Sequence, residues 1–138
     1  PGISVVKSAQ TATSTGHVTA MHDPTEGGLA GALDELARVS NTGLAVNADQ
    51  VRIYPETISI CDALELNPWG LIASGALLIT ATPGRSERIV EALANSGIES
   101  NVIGKITEPA SGLISITDGI SRPLKTFERD EIARLYSS

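Results

Sequence analysis

Asp-Pro-Thr-Glu-Gly-Gly, residues 23–28, stands directly ahead of the clearest amphipathic stretch of the chain and restricts how that stretch begins. Leu29, Leu33 and Leu36 share one helical stripe while Asp34, Glu35 and Arg38 take the opposite face, so the spacing predicts a helix over 24–40, stopped by Gly43. Local chemistry accounts for the first half of the motif. Asp23 suits an N-cap, Pro24 suits the first helical position because its missing N–H has no intrahelical partner there, and Glu26 reaches back as in a capping box. The glycines are left over. Each costs about 0.8–1 kcal/mol against alanine inside a helix, and capping asks for neither. Either another part of the protein packs against the bare backbone of Gly27 and Gly28, or a ligand does. In the second case a phosphate is the natural guest, because a helix start offers N–H groups and the positive end of a dipole. Asp23 and Glu26 would repel such a group unless a divalent cation stood between them or they faced away, and His22 beside them is a candidate ligand contact.

Elsewhere helical and alternating patterns take turns. Ile3, Val6 and Ala9 recur at helical spacing over 3–13, and a short strand is expected at 17–21. A strand at 44–48 precedes a helix over 55–66 with Pro55 in its first turn and Ile58, Cys61, Ala63 and Leu64 available to a core. Cys61 reads most simply as a small buried hydrophobe. Residues 70–81 form one long strand or two short ones broken at Ser74 and Gly75, where glycine signals a bulge or a close approach and a serine hydroxyl offers a donor to a phosphate oxygen. A helix over 84–95 with Ile89, Val90 and Leu93 inward ends at Gly97. Strands are expected at 101–107 and 112–117, and Asp118-Gly119 is a two-residue hairpin turn into 120–125. The last element, 128–136, reads as a short helix with its acids early and Arg134 late, as the macrodipole prefers. The pattern gives a mixed α+β fold, a mixed sheet with helices packed on it, in a single domain over 1–138.

Composition removes several functions. With 41% hydrophobic residues, a 138-residue chain buries roughly two thirds of its unfolded surface without staples. One cysteine excludes an internal disulfide framework, and no Cys/His spacing suits a structural metal. The longest apolar stretch, 70–81, is short of the about 20 residues a membrane helix needs, so no membrane role and a cytoplasmic location are expected. A net charge of −6 repels polyanions, and one Trp, two Tyr and one Phe make a poor stacking platform, so no nucleic-acid partner is expected.

Three stretches carry a resemblance: "VTAMHDPTEGGLAGALDELARVSNTGLAV", "ICDALELNPWGLIASGALLITATP" and "VIGKITEP". In order and spacing they resemble the C-terminal domain of the aminoimidazole ribonucleotide (AIR) synthase-related superfamily, with the carbamoyl-dehydrating, hydrogenase-maturation branch the most similar. The resemblance covers about residues 3–108, and its most specific part is the Asp-Pro-Thr-x-Gly-Gly-Leu stretch. It implies an ATP-dependent enzyme in which an amide-type or carbamoyl oxygen attacks ATP. It also implies that this chain is a fragment beginning at Pro1. The preceding N-terminal domain would be its partner, hold most of the ATP and magnesium, and carry the contacts of a possible homodimer. Carried over by position, the phosphate- or nucleotide-binding set is Asp23, Thr25, Gly27, Gly28, Ser74 and Gly75, with His22 and Glu26 as further contacts and no catalytic or metal residue assigned. The closing residues "ERDEIARLYSS" lack the cysteine that the branch modifies, so self-modification is not expected. The isolated domain is expected to be inactive. The alternative is a non-enzymatic paralogue, a nucleotide-binding or partner-binding scaffold.

Overall fold

Residues 2–136 are described by the computed structural model; Pro1, where the expected fragment begins, lies outside them. The elements run α1 (Val6–Ser14), β1 (Val18–His22), α2 (Gly28–Ser40), β2 (Gly43–Asn47), α3 (Pro55–Ala63), β3 (Leu78–Ala81), α4 (Ser86–Asn95), β4 (Gly104–Thr107), β5 (Leu113–Thr117) and β6 (Ile120–Pro123). Single 3₁₀ turns occupy Ala48–Gln50, Pro68–Gly70 and Pro109–Ser111, and a longer 3₁₀ segment spans Glu131–Tyr136. The mixed α+β class follows from this order. The chain divides into two compact units, one made of Pro1–Asp23 and Ser74–Val102, the other of Pro24–Ala73 and Ile103–Ser138.

In the first unit β1 and β3 form an antiparallel pair, with His22 opposite Leu78 and Val18 opposite Ala81. Ala12 of α1 and Ile89 and Leu93 of α4 form a buried cluster, against which Val18, Met21, Ile79, Ala81 and Ile98 pack. The i, i+4 spacing of Ile89 and Leu93 puts both on one face of α4, as the periodicity required, while Val90 is half-buried. Gly97, at φ 73°, turns the chain out of the helix, and the Ile98 N–H closes the end on the Leu93 carbonyl at 2.9 Å.

In the second unit a four-stranded sheet has the order β4-β2-β5-β6. β2 runs antiparallel to β4 and parallel to β5, and the β5–β6 hairpin turns at Asp118 and Gly119. Both turn residues have positive φ, 49° and 74°, as a two-residue turn matched to strand twist needs. Leu44 and Val46 of β2 are buried, as are Ala30, Ala32, Leu33 and Ala37 of α2.

Five expectations need correction. Helix α2 begins at Gly28, not Pro24, because Gly27 and Gly28 sit at φ 78° and 64°, a left-handed turn that a helix entering from Pro24 cannot traverse. The residue at the N-cap is Gly27 with no side-chain cap, so the box drawn from Asp23 and Glu26 does not form, and Pro24 is buried instead. The same helix is ended by Asn41 in the left-handed region, with the Thr42 N–H bonded to the Ala37 carbonyl at 3.0 Å. Gly43 opens β2 instead, at a place where a Cβ would stand 2.5 Å from the Glu108 carbonyl oxygen.

Helix α3 ends at Ala63, and of its expected core residues only Cys61 is buried; Ile58, Ala63 and Leu64 are exposed. The short helix expected over 128–136 is a 3₁₀ segment that starts only at Glu131, with Asp130 and Glu131 drawn into contacts with the body of their unit.

Candidate functional site

The Gly27–Gly28 turn is held from two sides. The Gly28 N–H bonds to the Thr25 carbonyl at 3.1 Å, and that carbonyl also accepts the Ala73 N–H at 3.4 Å. The first helical bond runs from the Gly31 N–H to the Gly27 carbonyl, at 3.0 Å. A Cβ at Gly28 would lie 2.5 Å from the carbonyl oxygens of both Leu71 and Trp69. Main chain from 69–71 thus lies where a side chain would be, which is the packing alternative for this glycine. Gly27 differs. Its nearest neighbour to such a Cβ is the Gly31 Cα at 3.8 Å, ordinary contact, so only its backbone angle restricts the residue there.

The Gly27 N–H is engaged by a residue far along the chain: it donates to Asp130 Oδ2 at 3.0 Å. The other oxygen, Asp130 Oδ1, accepts the Ile132 N–H at 3.0 Å, which orients the carboxylate. Next to it Glu131, 6% exposed, accepts the Asn67 N–H at 2.8 Å and an Arg134 Nη1 proton at 2.9 Å. Arg134 Nη1 also donates to the Glu65 carbonyl at 3.0 Å. The Asn67 N–H above all holds the Glu131 carboxyl below its usual range, with burial working against it and Arg134 and Lys125 adding to the lowering. The Phe127 ring lies on Gly70 so closely that a Cβ there would be 2.5 Å from Cγ, and Lys125 Nζ stands 5.0 Å from the ring centroid. Cys61 is buried and its thiol is pushed up, first by burial and then by the Asp62 and Glu131 carboxylates.

These contacts define a strap, residues 125–136, over the 65–70 segment and the start of α2. Local patterns do not reveal it, because the contacts that tie it to Gly27, Glu65, Asn67 and Gly70 each span more than fifty residues. The one local signal was the only phenylalanine of the chain just ahead of an Arg-Asp-Glu run.

The expected site residues fall into both units. Thr25 and Glu26 are exposed, Gly27 half-buried and Gly28 buried, all within one turn of the second unit. In the first unit His22 closes β1 and Asp23 follows it, exposed. Ser74 and Gly75 of that unit are also exposed; Gly75 has φ 98°, and a Cβ on it would stand 3.4 Å from the Ile3 Cα. Among the described residues no group of three or more His, Cys, Asp or Glu side chains could hold a metal ion. No helix among them is long and apolar enough to cross a membrane.

Comparison with known proteins places this geometry. The family model described as "AIR synthase related protein, C-terminal domain" matches residues 3–115. A Methanocaldococcus jannaschii protein of the hydrogenase expression/formation type is 37% identical over 99 residues, covering 70% of this chain and 30% of the relative. The carbamoyl dehydratase HypE of Rhizobium leguminosarum is 29% identical over 92 residues, covering 65% of this chain and 26% of that protein. The chain therefore spans less than a third of the length of either. A solved structure of the hydrogenase maturation protein HypE in complex with ATP superimposes with a TM-score of 0.73 at 26% identity, over 82% of this chain and 37% of that one. The strap lies wholly beyond the residues that the family model matches.

Proposed function

The chain belongs to the AIR synthase-related family, as its C-terminal domain, and we propose that it serves an ATP-dependent protein of the hydrogenase-maturation type, lining a nucleotide or phosphate site completed by an N-terminal domain. The observation that carries this reading is the match over residues 3–115 to the model of one domain of the family, together with relatives of which the matched part covers 30% and 26% of the length. The similar fold of a HypE bound to ATP adds support.

The residues present fit such a role in part. Thr25, Ser74 and Gly75 are exposed and offer hydroxyl or bare backbone donors to phosphate oxygens, whereas the exposed Asp23 carboxylate would meet phosphate only across a divalent cation. The Gly27 N–H at the start of α2 already has an anion on it. Gly28 contributes shape alone. Among the described residues no three acidic, His or Cys side chains gather to hold a metal ion, and on this reading magnesium is held by the proposed N-terminal domain and the nucleotide. The substrate class on this reading is an amide-type or carbamoyl group, for which ATP supplies a phosphate leaving group. This chain's own part is to position phosphate oxygens. The engaged Gly27 amide favours a second reading, a scaffold paralogue that keeps the fold without turnover.

The test is made in the longer protein. Thr25→Ala and Ser74→Ala should each lower ATP turnover about tenfold or more, the loss of a hydrogen bond to a charged group, while leaving Tm within about 2 °C. Turnover that survives both changes would sink the assignment. No turnover in the unaltered protein, with nucleotide binding intact, selects the scaffold.

A further inference from the structure

Two carboxylates of residues 125–136 are spent on backbone amides of the same small region. Asp130 takes the Gly27 N–H at 3.0 Å, and Glu131 takes the Asn67 N–H at 2.8 Å. An anion is thus already seated on the amide at the start of α2, delivered from 103 residues away in sequence. The seat is shaped as well as charged. The Asp130 carboxylate is turned by its second oxygen's bond to the Ile132 N–H, and the flanking Phe127 ring closes over Gly70.

The segment that carries these groups is held without regular backbone pairing. It has no β-ladder partner beyond Pro123 and no α-helical turn, only 3₁₀ geometry from Glu131. Side-chain contacts hold it to the rest of its unit: the Phe127 ring on Gly70, the Asp130 carboxylate on the Gly27 N–H, the Glu131 carboxylate on the Asn67 N–H and Arg134 on the Glu65 carbonyl. Side-chain anchors of this kind open locally at a fraction of the global unfolding free energy.

We propose that residues 125–136 are an autoinhibitory strap whose Asp130 carboxylate occupies the Gly27 amide, so that a phosphate group reaches this backbone only when the strap is released. This rests on the reading of the Gly27 turn as part of a phosphate site. The strap then acts as an internal competitor. If it is seated about nine-tenths of the time, it weakens phosphate binding about tenfold, since apparent affinity scales with the competent fraction. Reciprocity follows: phosphate must loosen the strap by the same factor that the strap weakens phosphate.

The experiment titrates inorganic phosphate into the ¹⁵N-labelled 138-residue chain and into its Asp130→Ala variant, reading the Gly27 amide resonance. The expected result is a phosphate-dependent shift of Gly27 in both, with the variant's Kd about tenfold lower. Equal Kd values in the two chains would overturn the strap as a competitor while leaving the phosphate reading standing. A Gly27 resonance that ignores phosphate in both chains would overturn that reading and the strap's role with it. Should Asp130→Ala fail to fold, hydrogen exchange of the Asn67 amide in the unaltered chain decides. Faster exchange with rising phosphate, against sodium chloride at matched ionic strength, supports the strap; exchange indifferent to phosphate overturns it.

Discussion

At the scale of single residues, Gly27 and Gly28 look alike in sequence and are held for different reasons. Both have positive φ, but only Gly28 faces carbonyl oxygens at 2.5 Å from where a Cβ would stand. Gly27→Ala should therefore cost about 1–2 kcal/mol, the left-handed penalty alone. Gly28→Ala adds a clash with main chain that has no rotamer to yield, and should cost about 3 kcal/mol or more. Urea denaturation of the two variants measures the gap, and equal losses would contradict the packing assigned to Gly28. The glycines were legible as an anomaly, since capping explained neither. Which of them met its own protein was not, because the answer sits in residues 69–71 and 130, beyond any local pattern.

At the scale of elements, the strap carries a pH dependence. Glu131 has its carboxyl lowered in the folded chain, and the charged or titratable groups around it are Arg134, Lys125 and the Cys61 thiol. A lowered folded value means that the stabilisation is complete above the ordinary glutamate value of about 4.3 and is lost as pH falls through the folded one. Trp69, the one tryptophan, sits between Asn67 and Gly70, both held by the strap, so its emission reports release. Emission should be constant from neutral pH down to about 4.3 and change below it. Glu131→Gln should remove that step and lower stability by about 1–3 kcal/mol, the loss of charge on two hydrogen bonds. A step that persists unaltered in Glu131→Gln would assign it to another group.

The elements that sequence periodicity located well are those whose partners are local or whose pattern is one-sided: α4 with Ile89 and Leu93, and the Asp118-Gly119 hairpin. Helix α3 lies where expected but buries a different side, because apolar residues at 58, 60, 61, 63 and 64 spread over more than half of its circumference and do not single out a narrow face. The closing segment is helical as expected, but as a 3₁₀ helix from Glu131 rather than from Glu128. Its acids satisfied a macrodipole argument on paper, whereas tertiary contacts to Gly27 and Asn67 drew them inward.

At the scale of the whole molecule, charge and length set the expectations. A net charge of −6 predicts no retention of the chain on a double-stranded DNA column at about 0.15 M salt, where opposing fields are only partly screened. Retention that falls steeply with added salt would reverse that expectation. Because the chain spans 30% and 26% of two relatives, the isolated chain should bind Mg-ATP with a Kd above about 1 mM. Titration calorimetry giving a micromolar Kd would show that no second domain is needed.

Each compact unit is stitched from two separated stretches, 1–23 with 74–102 and 24–73 with 103–138. During synthesis β1 must therefore wait for β3, and β2 for β4 and β5, while more than fifty intervening residues leave the ribosome. The central strand of the larger sheet is made early and paired late. Chains with such delayed pairings fold slowly for their size, and the interval before β4 arrives is when a nascent copy has most need of a chaperone.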